Sequence, residues 1–380
     1  ENAETVQRQL LASLLARHQN TEYGRRRGLL GISGFEEFRK AHPITGPDDY
    51  EQDVASIFKG SGGVLTPQQP DFLARTSGTS GPPHLIPHIA EISRDHFWRG
   101  VSVAFAALDA EFPGAAIGLQ RSAKLAFRVP RQAYANGVEV GSNAPSPDDF
   151  GFHQVLFPCA SPEAAYGIET DEQALYAHTL LALKDRNLGV LEAKSVPLLC
   201  RLLETARATR RGLVQDLRNG HIWDRRLSEH VPDAALRDAI DAALGGPDPT
   251  RAAEVNKLLK NNAPATELWP HLRLVLAADG GVFSVEAARL RELLGEVEVH
   301  SPWYAATEGL LGVNVLPAKP FGRSTYVLDP GSMVFELLPE EWRWTKNPPA
   351  SATIFPWDAV VGHRYELVIT TKAGLCRYRL

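Results

Sequence analysis

Apolar side chains at Val6, Leu10 and Leu14 recur with helical spacing and predict an amphipathic helix over Val6–His18. A polar, glycine-rich stretch follows to about Gly63, with Lys59–Gly63 read as an exposed loop. Two short, mostly apolar runs, Asp71–Ala74 and Leu85–Ile89, predict the strands of a hairpin. Beyond them Ser93 is placed to cap a helix running through Phe97, Val101 and Phe105 and stopping at Pro113-Gly114. Residues 115–168 are richer in glycine, proline and β-formers and read as strands and loops.

From Asp171, an expected N-cap, the pattern turns helical to about Asn262. Leu175, Leu180 and Leu183 mark the first helix. Others are predicted at 195–219, 233–244 and 250–261, broken by Gly220, Pro232 and Gly245-Gly246-Pro247. An α/β pattern then resumes with strand Leu272–Ala278, helix Ser284–Leu294 capped by its serine and closed by Gly295, and strand Val297–His300. Strands dominate the remainder: Val313–Leu316, Thr325–Leu328, Met333–Leu338 and a closing hairpin of Tyr365–Thr370 with Leu375–Leu380. The order predicts an α/β fold with a helical insertion at about 171–262, not a doubly wound sheet alone.

Composition narrows the function classes. The 380 residues suit one large composite domain or two smaller ones, and 44% hydrophobic with 22% charged residues is ordinary for a soluble globular protein. A net charge of −5 removes the electrostatic case for nucleic acid or an anionic membrane as partner. The basic clusters Arg25–Arg27 and Arg207–Arg211 are short and read as a loop and a solvated helix face. Cys159, Cys200 and Cys376 lack metal-ligand spacing and suggest a reducing compartment, and His88, His96, His153, His178 and His300 show no ligand spacing either. With no run of membrane-spanning length and no signal-like N-terminus, a cytoplasmic location is the expectation.

Candidate chemistry lies in three segments. Thr76-Ser-Gly-Thr-Ser-Gly-Pro-Pro-His84, between the two hairpin strands, offers hydroxyls and a glycine-permitted convergence of backbone N–H groups that can wrap phosphates. It is no Walker loop, because no Gly-Lys-Ser/Thr follows. The second segment is Tyr304-Ala-Ala-Thr-Glu-Gly309, after a short strand whose end is a common ligand position. Gly374-Leu-Cys-Arg-Tyr-Arg-Leu380 is the third, with Arg377 and Arg379 alternating along a predicted strand so that one face is basic.

In this order the segments resemble those of adenylate-forming enzymes, and within them the Gretchen Hagen acyl acid–amido synthetases of the auxin-conjugating type and their bacterial relatives. Asn20–Tyr23, Leu85-Ile-Pro87, Trp269–Leu272, Val334–Pro339 and Val361–Thr371 extend the resemblance nearly end to end. It implies a large N-terminal adenylation domain of the firefly luciferase-like fold over 1–380, with mixed β-sheets and a β-barrel-like part flanked by helices. A Gly-Asp pair and a small C-terminal domain are expected after Leu380.

The resemblance also implies ATP and Mg²⁺. Thr76, Ser77, Gly78, Thr79, Ser80, Gly81 and His84 would hold the phosphates, with Thr79 and Ser80 acting in catalysis. Tyr304 with Ala305 would lie against adenine, and Gly280-Gly281 would present backbone to nucleotide and acid. Thr307 and Glu308 would serve phosphate and Mg²⁺, with Glu308 both catalytic and the metal's carboxylate ligand. Trp98, Ser102 and Phe105 would line the acyl pocket, or else simply pack at helical spacing. The implied reaction adenylates a carboxylic acid, releasing pyrophosphate, and passes the acyl group to an amine, expected to be an amino acid. Two other readings stay open: a thioester-forming ligase, and a non-catalytic binder of a nucleotide or small acid. His84 motivates the second, since it places a titratable group where many relatives carry the permanent charge of lysine.

Overall fold

Seven of the eight residues from Leu188 to Ser195 are buried and Lys194 alone is exposed, so this segment needs cover on both faces. It obtains that cover as an inner strand of a four-stranded parallel sheet. The computed structural model describes residues 2–76, 78, 82–111, 121–143, 146–147, 151–152, 159–222, 234–315 and 324–380. Ser77, Thr79, Ser80, Gly81, Pro113-Gly114, His153, Pro232 and Leu316, all assigned roles from the sequence, lie outside the described residues.

In chain order, helices α1 (Ala3–His18), α2 (Glu22–Arg26), α3 (Phe35–Ala41) and α4 (Glu51–Phe58) precede the hairpin of β1 (Phe72–Arg75) and β2 (Leu85–His88). A nearly continuous helix follows as α5 (Ala90–Asp95), a π-helical turn His96–Val101, and α6 (Ser102–Glu111). Next come β3 (Arg121–Leu125), β4 (Gln132–Ala133), β5 (Glu139–Ser142), α7 (Asp171–Lys184), β6 (Leu188–Ser195), α8 (Val196–Ala208) and α9 (Arg210–Asn219). The chain continues through α10 (Ala234–Leu244), α11 (Pro249–Lys260), α12 (Ala265–Leu268), β7 (Leu274–Ala278), α13 (Ser284–Leu294) and β8 (Glu298–His300). It closes with β9 (Trp303–Ala306), β10 (Gly309–Val313), β11 (Val327–Leu328), β12 (Val334–Pro339), β13 (Tyr365–Thr370) and β14 (Tyr378–Arg379).

These strands form four small sheets, ordered β2-β1-β5-β4, β3-β6-β7-β8, β11-β10-β9 and β12-β13-β14. The second is parallel throughout, and the last two are antiparallel. Two apolar cores result. One joins Leu125, Leu191, Val275 and Val299 of the parallel sheet to the leucines of α7, α8 and α13. The other gathers α1, α3 and α4 around Leu73, Phe335, Ile369 and Tyr378.

The α/β class and mixed sheets agree with the sequence reading, but several local expectations need correction. The stretch 171–262 is not helix alone, since it contains β6. A strand buried on both faces shows no alternation, and periodicity cannot separate it from a buried helix. Residues 22–58 form three short helices where a polar loop region was expected, the first capped by Thr21 Oγ1 accepting from the Gly24 N–H at 2.9 Å. Ser93 does not cap its helix, which already starts at Ala90; its hydroxyl lies 3.3 Å from His88 Nε2. Thr170, not Asp171, occupies the N-cap position of α7, and Phe283 precedes Ser284 at α13. Gly295, with φ 84°, does end α13. The basic face expected on the last strand is absent, because Arg377 is wholly buried and Arg379 is partly buried against Glu366 at 2.7 Å. Among the described residues no helix is long and apolar enough to cross a membrane.

Candidate active site

The hydroxyl-glycine loop is closed at its root by two hydrogen bonds. The Thr76 N–H donates to the His84 carbonyl at 2.9 Å, and the His84 N–H donates to Thr76 Oγ1 at 2.8 Å. Within the loop Gly78 has φ 69°, the left-handed conformation that lets neighbouring N–H groups turn toward a common point. His84 is half-buried and Thr76 likewise.

The second segment folds as a two-residue hairpin turn. Ala306 pairs with Gly309 across β9 and β10, leaving Thr307 and Glu308 at the tip. Gly309 is required there: its φ is 140°, and a Cβ would sit 3.3 Å from Met333 Cε. Loop and turn are brought together through β5. Arg75, the last residue of β1, pairs with Ser142, and the next residue, Asn143, donates from Nδ2 to the Thr307 carbonyl at 2.9 Å.

Glu308 is 6% exposed. Burial raises its carboxyl above the ordinary value, opposed by its own backbone N–H; among the described residues no other group hydrogen-bonds the carboxylate. It faces a cavity of about 10 Å³, room for about one water, shared with Asp95, Ser332, Thr371 and Lys372. Lys372 is committed there, donating to Asp95 Oδ2 at 2.5 Å and lying 3.2 Å from Glu91. The third segment closes on the same point, since the Glu308 charge adds to burial in raising the Tyr378 hydroxyl.

Tyr304 and Ala305 are exposed on β9. The Tyr304 ring lies 5.7 Å from that of Tyr326, whose hydroxyl donates to Ser301 Oγ at 2.6 Å. A flat ring open on one face suits stacking against a base. Gly280 and Gly281 follow buried Asp279 at the C-terminal end of β7, where a parallel sheet presents ligands. Gly281 has φ 58° and opens a short 3-10 turn into α13, so exposed backbone faces the strand ends. Asp279 accepts from Ser324 Oγ at 3.4 Å.

Of the expected acyl-pocket residues, Trp98 is exposed and packs edge-on to Phe97, with ring centroids 4.9 Å apart. Ser102 Oγ donates to the Phe97 carbonyl at 3.2 Å, five residues back, which fits the π-helical widening beside it. Phe105 packs on Leu108, Val190, Leu274 and Leu276 and is thereby part of the layer between α6 and the parallel sheet. Asn143, Asp279, Tyr326 and Lys372 were not singled out from sequence. Only Asp279, next to the glycine pair, carried a signal that could have found it.

A larger cavity of about 220 Å³ lies between α1 and Pro330, Phe335 and Trp357. Its lining is largely apolar, and the Gln7 amide in it is spent on the Pro330 and Met333 carbonyls and the Phe335 N–H.

A hairpin phosphate-type loop, a buried carboxylate on a tight turn and a closing β-hairpin, set beside the C-terminal ends of a parallel sheet, define an adenylate-forming type of fold. The chain belongs to the GH3 family: the model of the GH3 family N-terminal domain matches residues 1–299, and that of the GH3 family central domain matches residues 326–380. It is 27% identical over 394 residues to a probable indole-3-acetic acid-amido synthetase, GH3.2, of Oryza sativa subsp. japonica, covering 99% of this chain and 62% of that protein. Against the jasmonoyl–L-amino acid synthetase JAR6 of Nicotiana attenuata it is 26% identical over 392 residues, covering 100% of this chain and 66% of the relative. The chain thus spans less than two thirds of the length of these relatives. Its fold matches that of the GH3.15 acyl acid amido synthetase with a TM-score of 0.86 at 24% identity, covering 100% of this chain and 64% of that one.

Proposed function

We propose that this chain carries the adenylation site of an ATP-dependent acyl acid–amido synthetase. The observation that carries the reading is the convergence of three distant segments, through the Asn143–Thr307 bond and the Glu308–Tyr378 proximity, around a buried carboxylate that no cation among the described residues neutralises. A carboxylate kept desolvated without a partner is costly unless something arrives to meet it.

The named synthetase relatives support the same chemistry for this site. The loop N–H groups and hydroxyls between Thr76 and His84 would hold the triphosphate, and Tyr304 would lie against the base. A carboxylate oxygen of the acid attacks the α-phosphorus, the bond to the β-phosphate oxygen breaks, and pyrophosphate leaves. The nitrogen of an amine, in this reading an amino acid, then attacks the acyl carbon; it loses a proton, AMP departs and an amide forms. Mg²⁺ fits Glu308, since a hard cation takes oxygen ligands and, on a triphosphate, draws most of them from phosphates and water. Among the described residues no cluster of three metal-binding side chains is present, so one carboxylate plus the nucleotide is the arrangement the donor set allows. Bound there, the ion would supply charge neutralisation of the leaving pyrophosphate.

The test is pyrophosphate and AMP release by the full-length protein across a panel of acids, with amine and thiol acceptors compared. Acid-dependent release ending in an amide supports the reading. A thioester product would reassign the acceptor, and ATP binding without turnover for any acid would make the protein a binder.

A further inference from the structure

Lys124, Glu192, Leu276 and His300 stand in one register row across β3, β6, β7 and β8. Neighbours in a parallel row share a face, and this face is the one that Phe105 and Leu108 of α6 cover through Val190, Leu274 and Leu276. The opposite face is apolar, with Leu125, Leu191, Val275 and Val299 packed under α7, α8 and α13. Polar groups are therefore concentrated in the layer between the sheet and the α5–α6 helix.

The Lys124 ammonium donates to Glu192 Oε1 at 2.5 Å and lies 5.4 Å from the Phe152 ring centroid. About a tenth of each side chain stays exposed, 12% and 10%. Among the described residues, two further buried polar atoms of this region have no hydrogen-bond partner: Nε2 of His300, a residue only 5% exposed, and Nε1 of Trp303. Trp303 in turn lies 5.8 Å from the His96 ring, which feels the Lys124 charge. An ion pair is a poor choice for stability alone in such a place, because an apolar pair of similar volume serves a packed layer as well or better.

On β7 the row lies two residues before the strand end at Ala278 and four before Gly280, where the nucleotide-facing glycines begin, roughly 13 Å along extended chain. That span matches a small acid whose carboxylate is at the strand ends. A second carboxylate reaching the row would meet Glu192 at like charge, and an ammonium would meet Lys124. A hydroxyl satisfies both, donating to Glu192 and accepting from Lys124.

We propose that the Lys124–Glu192 pair recognises a hydroxyl group at the far end of the acid substrate, so that the preferred acids are hydroxylated and not wholly apolar. The assignment rests on the synthetase reading for the position of the carboxylate. Because the pair satisfies itself when an apolar acid binds, the discrimination expected is on the order of 10- to 100-fold, below that of a site left with orphaned groups.

The test compares matched acids that differ only by hydroxyl, methyl or hydrogen, aromatic and aliphatic, with the full-length protein. Acid-dependent pyrophosphate release and calorimetric acid binding are both measured. The expected result is a preference for the hydroxyl member of at least about tenfold in kcat/KM or affinity. In the Lys124→Met, Glu192→Leu double variant that preference should vanish or invert, with the KM for ATP unmoved. Equal use of hydroxylated and apolar acids by the wild type overturns the assignment and leaves the synthetase reading intact; that comparison does not depend on the variant folding. Selective binding of hydroxy acids without turnover does the reverse. A hydroxyl preference that survives in the folded double variant also overturns it.

Discussion

Arg377 and Glu308 are both buried charges from the three sequence segments, and their surroundings could hardly differ more. The Arg377 guanidinium meets Glu336 at 2.8 and 2.9 Å and donates to the carbonyls of Arg39, His42 and Ala350 and to Thr353 Oγ1. Its donors are spent on joining the last strand to α3, β12 and the 350–353 turn. Its backbone, at φ 48°, is held in a conformation that L-residues avoid, with its N–H on Thr370 Oγ1 at 2.9 Å. Glu308, by contrast, has among the described residues only its own backbone N–H directed at it. A saturated charge is part of the framework, whereas an unsaturated one is available to a ligand. The same sequence neighbourhood cannot tell these apart, because saturation depends on carbonyls hundreds of residues away.

The sharpest way to break the contrast is Arg377→Met. It leaves Glu336, 1% exposed, with only the more distant Arg39 at 4.0 Å as a cation, and the expected loss is about 3 kcal/mol of stability. Chemical denaturation would show this as a large drop in midpoint, and wild-type stability would mean that the network contributes nothing.

Glu308→Gln should do the opposite. We expect kcat for pyrophosphate release to fall by roughly 100-fold, the scale of one lost transition-state electrostatic contact, with the fold intact. Its effect on stability follows from the sign of the shift. A carboxyl raised by burial binds its proton more tightly folded than unfolded, so its favourable contribution is present below the ordinary value of 4.5 and is lost as pH rises through the folded value. The amide variant should therefore melt above the wild type at neutral pH, with the gap closing toward pH 4. A variant that melts lower at neutral pH would place Glu308 in the framework with Arg377.

Asn143→Ala tests the tie between the two active segments. Losing one side-chain hydrogen bond of about 1 kcal/mol should raise the KM for ATP about fivefold with little change in the melting temperature. At the small end, Arg379→Met removes a partly exposed pair with Glu366 and should cost under about 1 kcal/mol. A loss as large as that at Arg377 would show that exposure does not set the difference.

Much of the molecule was legible from residues alone. The hairpin around the hydroxyl-glycine loop, the β7–α13–β8 succession and the Gly295 stop follow from local pattern and glycine chemistry, which short-range sterics enforce wherever the segment ends up. The β6 strand was hidden because burial on both faces erases alternation, and the helices between residues 22 and 58 because their stability comes from packing against Leu73, Phe335 and Ile369. Lys124 and Glu192 are 68 residues apart and carry no common motif; only the parallel register makes them a pair.

The sequence by itself determined the residue types able to grip phosphate, the order of the three segments and the alternation of local structure, because each depends on neighbours within a few positions. Tertiary structure decided which charges are spent and which are left open. Arg377 became a tie, Glu308 stayed unpaired among the described residues, and a polar row formed on one face of the parallel sheet. In a low-dielectric interior a charge is defined by the partners that surround it, and those partners are assembled only when distant strands and helices meet.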